Sequence, residues 1–130
     1  MESEEAQVKT PMDELLEFHM VFTHAAYQLC ERKNHDYAGA QGQSPFRNFE
    51  TVEALGLAST ETGIVIRMAD KINRLVTFAR DGKLKVANES ASDALLDIVN
   101  YAVILAAYIR KRANQQRQED RSTSGDSAGE

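Results

Sequence analysis

The chain is poor in the residues that cross-link, stiffen or break a fold. It has one cysteine, Cys30, in 130 residues. An intramolecular disulfide framework is therefore excluded, and a reducing, cytoplasmic setting is expected. There are two prolines and no tryptophan. Positive charge is not in excess either, since the formal net charge is −5. That argues against a nucleic-acid backbone as main partner, because such proteins carry a basic face. The opening segment, MESEEAQVKT, is acidic and polar and has no secretory pattern. The longest uncharged apolar stretch follows Asp97 and is read as too short to span a bilayer, so no membrane partner is expected. No P-loop, GxGxxG, CxxC pair or nucleophile elbow is present. No stretch alternates like a strand, and no internal repeat stands out.

What is present is enough apolar content for a core, 42% of residues, arranged at helical spacing. Residues 1–9 read as a disordered lead. TPMD then starts a helix, with Thr10 as N-cap, Pro11 as first helical residue and Asp13 completing a capping box. Leu15, Phe18, Phe22, Ala25 and Leu29 follow on one side, to about Lys33. NHDYAGAQGQSPFRNF reads as a loop, and ETVEALGL as a short helix. A second long helix starts after Ser59 and Thr60, presents Met68, Ile72, Leu75 and Val76, and ends at DGK with Gly82 as its C-terminal cap. A third begins near NES, where Ser90 and Asp93 can form another capping box, and runs to about Arg112. From residue 113 to 130 the chain is polar and reads as a disordered tail. The expected fold is all-α, one domain over 10–112 with three long helices and a short one. The third long helix is apolar on nearly every face. Two neighbours can hardly cover it, so a homodimer or homotetramer is expected to complete the bundle.

Within that third helix, in DALLDIVNYAVILAAYI (93–109), stands Asp97. A buried carboxylate requires a cation, a donor or a metal. Glu89, Asp93 and Asp97 recur at spacings of four and share one face; Asn100 and Tyr101 extend it. One account is a metal or catalytic site. The other is a pair of first-turn acids favoured by the helix dipole, with Asp97 in a buried salt bridge. On the second long helix Arg67, Asp70, Lys71 and Arg74 share a face opposite Met68, Ile72 and Leu75. They form either a solvated face with an Asp70–Arg74 pair, or one acid for a metal beside three cations for phosphates. The end of the first helix brings Lys33, Asn34, His35, Asp36 and Tyr37 to a loop junction. The loop adds Phe46, Arg47 and Phe49, whose aromatic rings either plug the core or stack on a nucleobase. Cys30 fits the amphipathic pattern and reads as core.

Three stretches, KNHDY, RMADKINRL and ESASDALLDIVNYA, together resemble the MazG-like superfamily of all-α nucleoside triphosphate pyrophosphohydrolases, nearest to its phage-associated nucleotide-modification branch. The resemblance covers roughly residues 12–110. It implies hydrolysis of a nucleoside triphosphate to monophosphate and pyrophosphate, with acids on neighbouring helices holding Mg2+ or Mn2+. It implies Asp97 as the final aspartate of the family's Glu-x-x-Asp element; the glutamate position is Ala94, with Asp93 nearest. Asp70 stands where an acid is expected, and Arg67 where its glutamate partner would be. Asp70, Asp93, Asp97 and Glu89 are the implied metal set, with Glu61 or Asp36 as possible additions and Lys71 beside them in catalysis. Lys33, Arg67, Lys71 and Arg74 are implied for phosphates, and Asn34, Asp36, Tyr37, Phe46, Phe49 and Asn100 for the rest of the nucleotide. By resemblance alone the substrate is a purine deoxynucleotide, dGTP first. Two other readings stand beside it. One is an HD-type phosphohydrolase built on His24, His35, Asp36 and Asp97. The other is a non-catalytic helical nucleotide-binding or oligomerisation module in which Asp97 pairs with Arg67 or Arg74.

Overall fold

The structure, a computed structural model, describes residues 8–37, 44–82 and 90–126. Four helices follow in order: α1 (Pro11–Tyr37), α2 (Arg47–Ala54), α3 (Thr60–Asp81) and α4 (Ala91–Asp126). No strand occurs among the described residues, as the all-α reading expects.

The helix ends follow from their capping side chains. At α1 the Asp13 N–H donates to Thr10 Oγ1 at 3.1 Å and the Thr10 N–H returns to Asp13 Oδ2 at 3.0 Å. Ser90 and Asp93 repeat the same reciprocal pair at α4, at 3.1 and 3.0 Å. These bonds satisfy backbone donors that a helix start would otherwise leave open. Ser59 Oγ accepts from the Thr62 N–H at 3.1 Å to open α3. Gly82, at φ +73, closes it by donating its N–H to Phe78 O at 2.8 Å. That left-handed turn favours glycine, which has no Cβ to crowd the backbone.

Three boundaries differ from the sequence reading. α1 continues past Lys33 to Tyr37. α2 starts at Arg47, earlier than expected, because Ser44 makes the turn that launches it. Ser44 Oγ accepts from the Phe46 N–H at 3.2 Å and donates to Glu50 Oε1 at 3.0 Å. α4 does not stop near Arg112 but runs to Asp126, through residues expected to be a disordered tail. Gln, Glu and Arg in this stretch are good helix formers, and Gln116 Nε2 donates to Asp120 Oδ1 one turn on at 3.2 Å. Its described side chains from Arg112 onward are exposed. α4 is also long and apolar enough, by length and composition, to cross a bilayer, contrary to the shorter estimate above.

α4 is the centre of the packing. α3 lies along it, α1 packs on it, and α2 packs on α3. α3 and α4 run antiparallel: Lys71 meets Asp97, while Thr60 and Arg112 both bind Glu53 of α2. Small side chains at the contacts, Ala26, Gly63 and Ala94, let the helices approach closely, and Ile64, Thr60, Asn100 and Tyr108 fill the remaining buried positions. Thr60 and Gly63 of α3 face α2: Thr60 donates to Glu53, and Gly63 lies against Val52 and Phe49. Ile72 and Val76, expected on the apolar side, are about half exposed. Met12, Leu15, Phe18, Met20 and Val21 of α1 are mostly exposed as well.

Glu53 ties three helices at one end. It accepts from Thr60 Oγ1 at 2.5 Å and from Arg112 Nη2 at 2.6 and 2.8 Å. Its carboxyl is held below the usual range by the Thr60 hydroxyl first and Arg112 second.

Ile64 of α3 is fully buried. Ile64→Ala leaves a cavity there and is expected to lower unfolding free energy by about 2–5 kcal/mol in urea titrations. A loss under about 1 kcal/mol would show that this contact collapses without cost.

Candidate functional site

Asp97 lies on the face of α4 between α1 and α3, with 13% of its side chain exposed. Each carboxylate oxygen has an ammonium partner. Lys33 Nζ of α1 donates to Oδ1 at 2.9 Å, and Lys71 Nζ of α3 reaches Oδ2 at 2.9 Å. Lys71 is itself mostly buried, 15% exposed, while Lys33 is 43% exposed. Burial alone would raise the Asp97 pKa; the Lys33 and Lys71 hydrogen bonds and charges outweigh it and hold the carboxyl below its ordinary value. The acid column is thus relieved by cations from two other helices. These partners are lysines, where the ion-pair account named Arg67 or Arg74.

Beside Asp97 opens a pocket of about 400 Å3, within the range of small-ligand sites. Three cations line it, Lys33, Arg47 and Arg67, against one carboxylate, Asp97. Arg47 and Arg67 have no ion-pair partner among the described residues. Phe49 and Tyr101 also line it, ring edge to ring face, with centroids 6.2 Å apart. Asn100, Ile104 and Cys30 complete the inner wall. A cavity with surplus guanidinium and ammonium groups at its walls favours an anion, and guanidinium suits phosphate. An aromatic pair beside those cations suits a ligand that is anionic at one end and flat at the other.

The expected site residues divide. Lys33, Arg67, Phe49, Asp97 and Asn100 come together at the pocket, with Lys71 behind Asp97. Asp93 does not line it; it caps its own helix, and the backbone and hydroxyl of Ser90 hold its carboxyl low. Its charge is felt by Asp97 and Lys71, so it shares their side of α4. Asp70 is turned outward, 61% exposed, and pairs with Arg74 one turn on at 3.3 Å. Neither Asp70 nor Arg74 lines the pocket. Glu61 faces Arg112 at 3.5 Å instead. Glu89 lies outside the described residues, as do the side chains of Asn34, His35, Asp36 and Tyr37. Phe46 packs edge-on against Tyr108, centroids 5.4 Å apart, away from the pocket. His24 is exposed and stacks on Tyr27 of the same helix, so it is not a partner of Asp97 for an HD-type centre.

Arg47 is the cation the sequence reading left unassigned. Its signal was its place between Phe46 and Phe49 in a segment otherwise read as loop. Cys30, read as core, is a partly exposed pocket-wall residue.

For a divalent cation the test is the donor set. Among the described residues no group of three or more His, Cys, Asp or Glu converges. Mg2+, however, is commonly held by one or two carboxylates together with substrate phosphates. Asp93 and Asp97 are one turn apart on α4, but Asp93 is engaged in its helix cap and lies off the pocket. That leaves Asp97, which Lys33 and Lys71 would have to release.

No family model matches the chain, and no curated protein or solved structure matches it.

Because the folded pKa of Asp97 is depressed, its ion pairs contribute stability fully above the ordinary carboxylate range. That contribution is lost as pH falls through the folded value. Below about pH 4 the protein should lose stability more steeply than Asp97→Asn does. At neutral pH the variant should be less stable by roughly 1–3 kcal/mol, because Lys33 and Lys71 both lose the carboxylate that they share. Urea midpoints from pH 3 to 7 measure both. Equal acid limbs for the two proteins would contradict the assignment.

Proposed function

We propose that the chain hydrolyses a nucleoside triphosphate to the monophosphate and pyrophosphate, as the MazG-like resemblance implies, with a purine deoxynucleotide, dGTP first, as substrate. One observation carries the reading. The three stretches behind the resemblance meet at one atom group: Lys33 of KNHDY and Lys71 of RMADKINRL both bind Asp97 of ESASDALLDIVNYA. Residues far apart in the chain thereby border one cationic pocket.

The chain's own residues would act as follows. Arg47, Arg67 and Lys33 receive the phosphate oxygens, and their charge is worth more in a partly enclosed pocket than in water. Lys33, at the pocket wall, can exchange the Asp97 carboxylate for phosphate, while Lys71 holds the other oxygen from behind. Phe49 and Tyr101 offer apolar surface to the nucleoside. Water adds at the α phosphorus and the bond to the bridging oxygen of the pyrophosphate leaving group breaks. Positioning and charge stabilisation supply most of the acceleration in such displacements. Mg2+ or Mn2+ belongs to this proposal; held by Asp97 with the phosphates, it would neutralise the triphosphate and activate the attacking water. The exposed apolar residues of α1 support the further proposal of a homodimer or homotetramer, with neither nucleic acid nor membrane as partner, in the cytoplasm.

A second reading is favoured by the ammonium on each Asp97 oxygen. In it the same pocket binds a nucleotide without turnover, and Asp97 serves only to join helices.

The test is incubation with each of the eight common NTPs and dNTPs in Mg2+ or Mn2+, with products resolved by ion exchange. Monophosphate and pyrophosphate are expected, lost in Asp97→Asn. Arg67→Ala should lower kcat/KM by about 10–100-fold, the effect of removing one charge-assisted hydrogen bond. Binding without turnover would select the second reading. Neither binding nor turnover would refute both.

A further inference from the structure

The pocket occupies one side of the α3–α4 layer. The other side carries an uncharged pattern that no described residue covers. On α3, Val65, Ala69, Ile72, Val76 and Ala79 follow one another at steps of four, three, four and three. On α4, Leu95, Val99, Ala102, Ala106 and Ile109 repeat the same steps. This is the spacing with which a helix buries one stripe against another helix. Yet the stripes are open. Val65, Ile72, Val76, Leu95 and Ile109 are 42–57% exposed. The four alanines are exposed too, and Val99 is half-buried.

Both stripes face the same way. At 3.6 residues per turn, the α3 stripe lies opposite Gly63, which packs on Val52 and Phe49 of α2. The α4 stripe lies opposite Asn100 and Ile104 of the pocket wall. It also points away from Tyr101, which meets Phe49 of α2. The pocket and α2 therefore share one side of the two helices, and the stripes share the other. Because α3 and α4 pack along each other, the stripes form one apolar face.

The form and size of this face say what covers it. Each stripe spans about 21 Å on a helix about 10 Å across, so the footprint of the two is about 400 Å2. The accessible surface of the side chains standing on it is larger, on the scale of the roughly 600 Å2 per partner that the smaller stable interfaces bury. A stripe at this spacing is matched by another helical stripe. A second copy of the chain offers two of them, already antiparallel, and two-fold symmetry lets the same patch cover itself. We propose that this face is a homodimer interface, in which two α3–α4 pairs close into a four-helix bundle and leave the two pockets on its outer sides. This names the face and the geometry of the oligomer, and it does not depend on the nucleotide reading.

The experiment is sedimentation equilibrium of the full chain at micromolar concentration. Wild type should sediment at twice the chain's mass. Ile72→Glu, which sets a charge in the α3 stripe, should sediment at the chain's mass with its helical circular dichroism retained. If that variant fails to fold, Ile72→Ala and Ile109→Ala decide: each should weaken the dimer by about tenfold or more. Phe18→Glu, on the open part of α1, should stay dimeric. A wild type that remains at the chain's mass would overturn the proposal; its flotation with phosphatidylcholine vesicles would then show that lipid covers the face. A dimer that keeps its affinity in both alanine variants but dissociates in Phe18→Glu would place the contact on α1 and overturn it as well.

Discussion

A carboxylate inside an apolar helix must be matched by charge from outside that helix. Asp97 meets this requirement with Lys33 from α1 and Lys71 from α3, at 2.9 Å each. The two bonds fix where α1 and α3 lie against α4, and so fix the cavity beside them. Lys71 depends on Asp97 as much as the reverse, because both side chains are mostly buried. Removing either partner takes away part of the charge that balances the other, whereas removing both together costs less. Among the described residues few large side chains are fully buried, and Ala26 and Ala94 are among the residues that are. The ion pairs add directional ties to that packing. At the far end of the α3–α4 contact, Glu53, Thr60 and Arg112 do the same for α2.

The same arrangement links stability to chemistry. Lys33 borders a pocket that carries two further cations, the guanidinium groups of Arg47 and Arg67, and Lys71 holds Asp97 from behind. An incoming polyanion can compete with Asp97 for Lys33. Preorganised cations of this kind interact with phosphate at little reorganisation cost. The aromatic pair Phe49 and Tyr101 adds apolar surface to the wall of that pocket.

Much of this was legible in the chain. The reciprocal caps at Thr10–Asp13 and Ser90–Asp93, and the glycine stop at Gly82, follow from local rules that tertiary structure does not override. Asp97 was conspicuous because its neighbours are apolar, and Lys33, Arg67, Asn100 and Phe49 were named as site residues. Its partners were harder to read. Lys71 looked like one of four polar residues on a solvated face, and only the packing of α3 turns it inward while Asp70 faces out. The continuation of α4 past Arg112 was missed because its residues have no apolar stripe; helix propensity and i,i+4 bonds carry it instead. Arg47 was obscured by a loop assignment that Ser44 converts into a helix start.

The central claim is that Asp97 and Lys71 stabilise the fold through each other. A double-mutant cycle with Asp97→Asn and Lys71→Met, read by urea denaturation at pH 7, tests it most directly. The account predicts a coupling energy of about 1–3 kcal/mol, with the double variant more stable than the sum of the single losses requires. Additivity within about 0.5 kcal/mol would contradict it.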